Sequence, residues 1–346
     1  MALVLGLAAL LWGVGHLLRL PVQARALMLG LLYVAVLGLQ VILPEGAELR
    51  RATGGSAAPW LLIGGAAALV LLYREGLRRL RARAAPPPAP ETARQGPFRD
   101  VELERYARHI VLREIGGVGQ KRLKDARVLV IGAGGLGAPV LLYLAGAGVG
   151  TIGVIDEDTV SLSNLARQVI HTDARTSMPK VFSAERAMTD LNPEVTVKPY
   201  NRRLTPEIAE ALVGEYDLVI DGSDNFDTRE LVNRACVATG TPLLSGAIGQ
   251  WEGQVSLFDP VRGAPCRACV FPERPAPGLV PSCAEGGVAG PLPGVIGTLL
   301  ATEAVKEITQ AGDGLAGRLL IYDALAAEMR SVKVRRDPAC PVCGGV

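Results

Sequence analysis

The sequence predicts an α/β fold: an open, mostly parallel sheet with helices on both faces, preceded by transmembrane helices. Three observations carry this. Short apolar runs alternate with helical patterns from about Phe98 onward. One of these runs, Val128–Ile131, opens into Gly132-Ala133-Gly134-Gly135-Leu136-Gly137. Ahead of both lie three stretches without a charged residue: Met1 to Leu18, Ala26 to Pro44 and Ala52 to Tyr73. Strand–helix alternation needs a layered fold, because each strand must bury both faces against helices.

In chain order, the charge-free stretches come first. Runs of this length suit a bilayer core about 30 Å thick. The third opens on small and polar residues, with its apolar part at Trp60 to Tyr73. A cleaved signal peptide does not fit, since no basic residue precedes the first run and a second run follows at once. Arg74, Arg78, Arg79, Arg81 and Arg83 follow the third stretch. With three spans, that basic cluster places the N-terminus outside and the C-terminal domain in the cytoplasm. The expectation is a multi-pass protein of the cell inner membrane. His16 is expected near the interface. Ala84 to Pro90, with its Pro-Pro-Pro core, reads as a stiff linker. The boundaries are therefore 1–83 for the membrane segment, 84–97 for the linker and 98–346 for the catalytic domain. The formal net charge of +2 makes no case for a nucleic-acid partner.

Within the C-terminal domain, strands are expected at Val128–Ile131, Thr151–Asp156, Val195–Pro199, Leu218–Asp221, Leu243–Ser245, Val255–Phe258, Leu319–Tyr322 and Arg330–Val334. Helices are expected near Ala138–Ala145, Val181–Leu191, Pro206–Gly214, Thr228–Ala238 and Val295–Thr309. The later strands come in pairs without helices between them, which predicts an antiparallel extension of the sheet.

The glycine run after the first strand has the chemistry of a nucleotide-binding turn. Gly132, Gly134, Gly135 and Gly137 permit a tight turn and close approach of backbone to phosphate, and the next helix points its N-terminal amides at the anion. Asp156, about twenty residues on, stands where an acidic residue reaches a ribose hydroxyl. Asn164 and Arg167 follow the second strand, where they face a triphosphate rather than a nicotinamide.

There are six cysteines. Cys266/Cys269 and Cys340/Cys343 form two Cys-x-x-Cys pairs, and four thiolates suit a closed tetrahedral zinc site. Disulfides are not expected in a cytoplasmic domain. Cys236 sits in an apolar pattern and reads as core. Cys283, in a Gly/Pro-rich stretch, is a candidate nucleophile.

Taken together, the motifs resemble the HesA/MoeB/ThiF family, the adenylating enzymes that activate ubiquitin-like sulfur carriers. They run in order from about Leu103 to Gly344: Arg105-Tyr106-Ala107-Arg108-His109-Ile110, the glycine turn, Asp156 with Ser163-Asn164 and Arg167-Gln168, Lys180, Ser223-Asp224-Asn225, Gly253-Gln254-Val255, Gly294-Val295-Ile296-Gly297 and both cysteine pairs. The resemblance is greatest to the molybdopterin-synthase branch. It implies a Rossmann-like ATP-binding domain of the ubiquitin-activating type. One position departs from the family pattern, which has glycine three residues before the lysine where this chain has Ser177. The membrane segment has no counterpart in that pattern.

The resemblance also implies an activity. A carrier ending in Gly-Gly presents its C-terminal carboxylate to the α-phosphate of ATP, in the service of molybdenum cofactor biosynthesis or, alternatively, on the thiamine sulfur carrier. Arg167 and Lys180 are similar to the family's phosphate-binding residues, and Asp224 to its Mg2+-binding acid. Asn164 would orient the phosphates. Arg108 resembles an arginine that reaches into the neighbouring subunit's site, which implies a homodimer. Arg108 has Glu104 as an alternative partner, and Asp224 has an alternative role as a helix cap. Two other classes are an NAD- or FAD-dependent membrane oxidoreductase, which leaves Lys180 and the four thiols unexplained, and a non-enzymatic docking protein, which leaves the ATP residues without purpose.

Overall fold

The computed structural model describes residues 2–18, 20–84, 96–274 and 286–345. The chain divides into two compact units, Met1–Arg94 and Gln95–Val346. Residues 85–95 of the expected linker, and Cys283, lie outside the described residues.

The first unit holds α1 (Ala2–Leu17), α2 (Val22–Ile42), α3 (Glu48–Ala52) and α4 (Ala58–Ala84). Two of these pass the length and hydropathy requirement for a span, α2 and residues Ala58–Arg79 of α4. The first of the three expected spans forms α1, which among the described residues is shorter than these two. α1 has 16 residues, a rise of only about 24 Å. Pro21, which begins the approach to α2, cannot continue α1. Leu31, Leu62 and Leu72 point outward from their helices. A polar clasp joins α2 to α4: Gln40 Nε2 donates to Thr53 Oγ1 at 2.6 Å, Trp60 Nε1 donates to the Thr53 carbonyl at 2.9 Å, and Tyr33 Oη donates to the Trp60 carbonyl at 2.8 Å.

In the second unit, eight strands form one sheet: β1 (Arg127–Ile131), β2 (Thr151–Ile155), β3 (Thr196–Tyr200), β4 (Leu218–Asp221), β5 (Leu243–Ile248), β6 (Glu252–Phe258), β7 (Arg318–Asp323) and β8 (Glu328–Lys333). Their order is β3-β2-β1-β4-β5-β6-β7-β8. The first five are parallel, and β6, β7 and β8 extend the sheet antiparallel. All eight expected strands and all five expected helices form, with ends shifted by a few residues.

The helices are α5 (Asp100–Arg105), α6 (Ala107–Ile110), α7 (Gly116–Asp125), α8 (Gly137–Ala147), α9 (Lys180–Leu191), α10 (Pro206–Val213), α11 (Phe226–Thr239), α12 (Arg267–Val270) and α13 (Leu292–Thr309). Period-two alternation along β1 divides the core. Val128 and Val130 pack with Leu141 and Leu144 of α8 and with Ile296 and Leu300 of α13. Leu129 and Ile131 pack on the opposite face with Leu212 of α10 and Val232 of α11. Burial on both faces is what makes β1 and β4 continuously apolar.

This strand order creates a crevice. β1 is the first strand, and its neighbours β2 and β4 are reached on opposite sides. At such a switch point the loops beyond the strand ends diverge and leave room for a ligand.

Candidate active site

A cavity of about 790 Å³ opens at that switch point. Its floor is the turn after β1. Gly132 has φ +92°, and a Cβ on Gly137 would lie 1.9 Å from the Gly132 carbonyl oxygen. No other residue fits at Gly137 without opening the turn, so its closeness is a steric requirement. Gly132, Gly134 and Gly135 line the cavity with Leu136, the residue before α8, whereas Gly137 starts the helix without lining it.

Asp156, at the end of β2, holds this turn. Its Oδ2 accepts from the Ala133 amide at 2.8 Å and its Oδ1 accepts from the Asp158 amide at 2.8 Å. It also lines the cavity, and each oxygen keeps a lone pair for a ligand. His171 supports the same turn. It is buried, with Nε2 2.9 Å from the Ala133 carbonyl and Nδ1 2.9 Å from Ser183 Oγ. The carbonyl fixes Nε2 as the donor, so Nδ1 accepts. Burial pushes the His171 pKa down, which keeps the ring neutral in the fold. Its share of stability is complete above the ordinary histidine pKa and is lost as pH falls below it. His171 was not legible as a site residue, because its partners are far apart in the chain.

Lys180 opens α9, is buried, and lines the cavity. Its Nζ lies 2.7 Å from Asp158 Oδ2. Asp158 is a site residue that sequence reasoning missed, although Asp156-Glu157-Asp158 carried the signal. Ser177, three residues before Lys180, has φ +69°. The loop thus keeps the left-handed conformation that glycine favours, with serine paying a strain of about 1–2 kcal/mol. Ser177→Gly is expected to raise stability by up to about 1 kcal/mol, less what glycine loses to unfolded-state entropy. A thermal unfolding midpoint lower than that of the parent would contradict this.

Arg167 lines the cavity, but Asn164 does not. The structure places Asn164 in contact with Arg167. Its Oδ1 accepts from Arg167 Nη2 at 2.7 Å, and the Ser163 carbonyl accepts from Arg167 Nη1 at 3.3 Å. Asn164 stands behind the arginine and aims it. The 3-10 turn Leu162–Asn164 turns the two residues onto each other, three positions apart. Beside them, Gln168 is buried and lines the cavity, and its Oε1 has no partner among the described residues.

On the β4 side, Asp224 is exposed, lines the cavity and forms no ion pair among the described residues. It does not cap α11. The cap is Asn225, whose Oδ1 accepts from the Thr228 amide at 2.9 Å, which leaves the Asp224 carboxylate free. Cationic lining beyond Arg167 and Lys180 comes from Arg202, Arg203, Arg229 and Arg267, none of which the motifs had singled out. Arg108 lies on α6, exposed, away from this chain's cavity and unpaired with Glu104 among the described residues.

The four paired cysteines meet as expected. All four Sγ atoms lie within 4.8 Å of one another. Cys266–Cys269, Cys266–Cys340 and Cys269–Cys343 are separated by 3.8, 3.7 and 3.5 Å. A tetrahedral zinc with bonds of about 2.3 Å requires sulfurs about 3.8 Å apart, so the cluster fits the metal. Burial pushes the Cys340 thiol up, but the Cys343 and Val342 amides outweigh it and hold its pKa at about 7. The cluster packs on Val237 of α11 and pins the C-terminal tail to the loop after β6. Cys236 is buried core, as its pattern suggested.

Residues 106–342 match the ThiF family. The chain is 53 % identical over 247 residues to the sulfur carrier protein adenylyltransferase of Thermus thermophilus, covering 70 % of this chain and 91 % of that one. It is 48 % identical over 243 residues to the SAMP-activating enzyme E1 of Haloferax volcanii, covering 70 % and 89 %. It is 51 % identical over 243 residues to the probable adenylyltransferase/sulfurtransferase MoeZ of Mycobacterium tuberculosis, covering 69 % of this chain but only 62 % of that relative. Among solved structures, E. coli MccB with MccA-N7isoASN superposes with a TM-score of 0.62 at 23 % identity, covering 69 % of this chain and 74 % of MccB, a likeness of fold.

Proposed function

The chain belongs to the ThiF family, and on that premise we propose that it adenylates the C-terminal glycine of a ubiquitin-like sulfur-carrier protein with ATP. The observation that carries this is one cavity holding the glycine turn, Arg167 and Lys180 on one side and Asp224, without an ion pair among the described residues, on the other. A carboxylate and a triphosphate repel each other, so their reaction needs fixed positive groups around both. Relatives named as sulfur carrier protein adenylyltransferases support the reading.

In this reading the α8 amides and Arg167 hold the phosphates. Asp156 takes the ribose. Asp158 sets Lys180 in place, and Lys180 meets the charge of the departing pyrophosphate. A carboxylate oxygen of the carrier attacks the α-phosphorus. The bond to the bridging oxygen breaks, and pyrophosphate leaves with the electron pair. No proton moves, because the attacking carboxylate is already ionised. Asp224 offers a hard oxygen ligand for Mg2+, which when bound neutralises phosphate charge. Cys266, Cys269, Cys340 and Cys343 hold a structural Zn2+. Cys283 is not required for adenylate formation. Arg108, which does not line its own cavity, serves the site of a partner subunit in a homodimer. Residues 1–83 anchor the enzyme in the cell inner membrane with the catalytic domain in the cytoplasm. With only α2 and α4 as spans, the N-terminus would lie on the cytoplasmic side as well. Release of the chain from membranes by high salt alone would contradict the anchor.

The carrier proposed is the small subunit of molybdopterin synthase, in molybdenum cofactor biosynthesis, on the strength of overall resemblance to that branch. Equal amounts of that subunit and the thiamine sulfur carrier, competed for limiting enzyme and read by mass spectrometry, decide between them. Preferential adenylation of the former is expected. Preference for the thiamine carrier would overturn the choice.

A further inference from the structure

Arg267 is a buried cation that no carboxylate contacts among the described residues. It sits between two zinc-cluster residues at the start of α12 and is 8 % exposed. Among the described residues its guanidinium forms neither an ion pair nor a hydrogen bond. Its backbone is fixed by donation to Asn233 Oδ1 at 2.8 Å, and its guanidinium lies 5.4 Å from the Phe271 ring centre. Two carboxylates act on it from a distance, Asp221 and Glu230, and neither touches it among the described residues. Glu230 receives both forks of Arg274. Asp221 accepts from Ser223 and Ser245. Arg229, on α11, is half-buried and donates to the Ser223 carbonyl, again without a carboxylate partner.

Both arginines line the large cavity, and both line a recess of about 20 Å³ beside it, floored by Ser245, Gln254 and Ser256. A guanidinium that faces a cavity with no carboxylate in contact leaves its donors available to an anionic ligand there. The recess has room for roughly one water molecule, too little for a phosphate group but enough for a carboxylate oxygen.

Strand order locates this pair relative to the reaction. Arg167, Lys180 and Asp156 follow β2, and the glycine turn follows β1. Asp224 follows β4. The arginine pair stands over β5 and β6, on the far side of Asp224 from the phosphate-binding groups. In an in-line displacement at phosphorus the nucleophile enters opposite the leaving group. If Arg167 and Lys180 receive pyrophosphate, the nucleophile must come from the β5–β6 side.

We propose that Arg229 and Arg267 seat the α-carboxylate of the protein substrate's C-terminal glycine, one oxygen held by the guanidinium groups and the other facing the α-phosphate. This rests on the adenylation reading above. It assigns the zinc cluster a second task, because Cys266 and Cys269 fix the arginine between them. On transfer the carboxylate becomes an uncharged acyl oxygen, the arginines lose their anion, and the activated end is freed for the next step.

The test uses the full chain in detergent and ATP–pyrophosphate exchange, with the molybdopterin-synthase small subunit and the thiamine carrier each as probe. Arg229→Gln and Arg267→Gln are expected to raise the KM for the carrier roughly tenfold to a hundredfold, by the energy of a charge-assisted hydrogen bond. The KM for ATP and inhibition by pyrophosphate should not change. Arg267→Lys should recover part of the loss. An unchanged carrier KM in active Arg229→Gln, which lies outside the cysteine cluster, overturns the seat even if Arg267 variants fail to fold. Weakened pyrophosphate inhibition with an unchanged carrier KM also overturns it, by assigning the pair to the leaving group. No exchange by the parent chain with either probe removes the proposed function, and this inference with it.

Discussion

Asp224→Ala is expected to abolish activity while leaving the fold intact. Carrier-dependent ATP–pyrophosphate exchange should fall by on the order of a thousandfold, the cost of losing one fixed electrostatic contributor to a phosphoryl transition state. Stability should change by less than about 0.5 kcal/mol, because the carboxylate is exposed and unpartnered and the cap of α11 is Asn225. Near-parental exchange in a folded variant would remove Asp224 from the site. The same variant tests the shared site. Subunits carrying Asp224→Ala and subunits carrying Arg108→Ala are each expected to be inactive. Mixing them should restore roughly a quarter of parental activity, since half the dimers are mixed and each mixed dimer has one intact site. No recovery after verified subunit exchange would mean that Arg108 does not act across the dimer.

The second large effect concerns stability. Cys340→Ser is expected to lower zinc content from about one equivalent per chain to near zero, since three thiolates no longer close a tetrahedron. The C-terminal tail then loses its tie to the loop after β6. The loss should be at least about 4 kcal/mol, the linkage energy of a metal present at a thousand times its dissociation constant. Its signature is a lower unfolding midpoint for the parent under chelation as well. A variant that melts with the parent, or a parent that contains no metal, would reject the site.

Much of the fold was legible because β1 and β4 state their burial in their composition. Val-Leu-Val-Ile of β1 and Leu-Val-Ile of β4 are apolar on both faces, and only a doubly covered strand can be. The structure adds the caps: Thr205-Pro206 starts α10, and Gly240 at φ +72° ends α11. By contrast, α5, α6 and α7 were not assigned. They are short or glycine-rich, as in Gly116-Gly117-Val118-Gly119, and tertiary packing rather than propensity holds them.

The site divides in the same way. Asp156, Arg167 and the four cysteines could be read from local spacing, Lys180 and Asp224 were implied by the family resemblance, and the fold brings each group together. Asn164 shares its motif with Arg167, yet it aims the arginine and leaves the cavity to it. Arg229, Arg267 and His171 carry no local signature. What distinguishes them is burial and missing or distant partners, which only the folded chain displays.

Incubating the full chain with a sulfur carrier ending in Gly-Gly and ATP labelled at the α-phosphate tests adenylation most directly. The label is expected to move onto the carrier, with an equal amount of pyrophosphate released, and a carrier lacking its last glycine should accept none. Label that remains in ATP with every Gly-Gly carrier supplied, while the chain is folded and binds the nucleotide, would contradict the assignment.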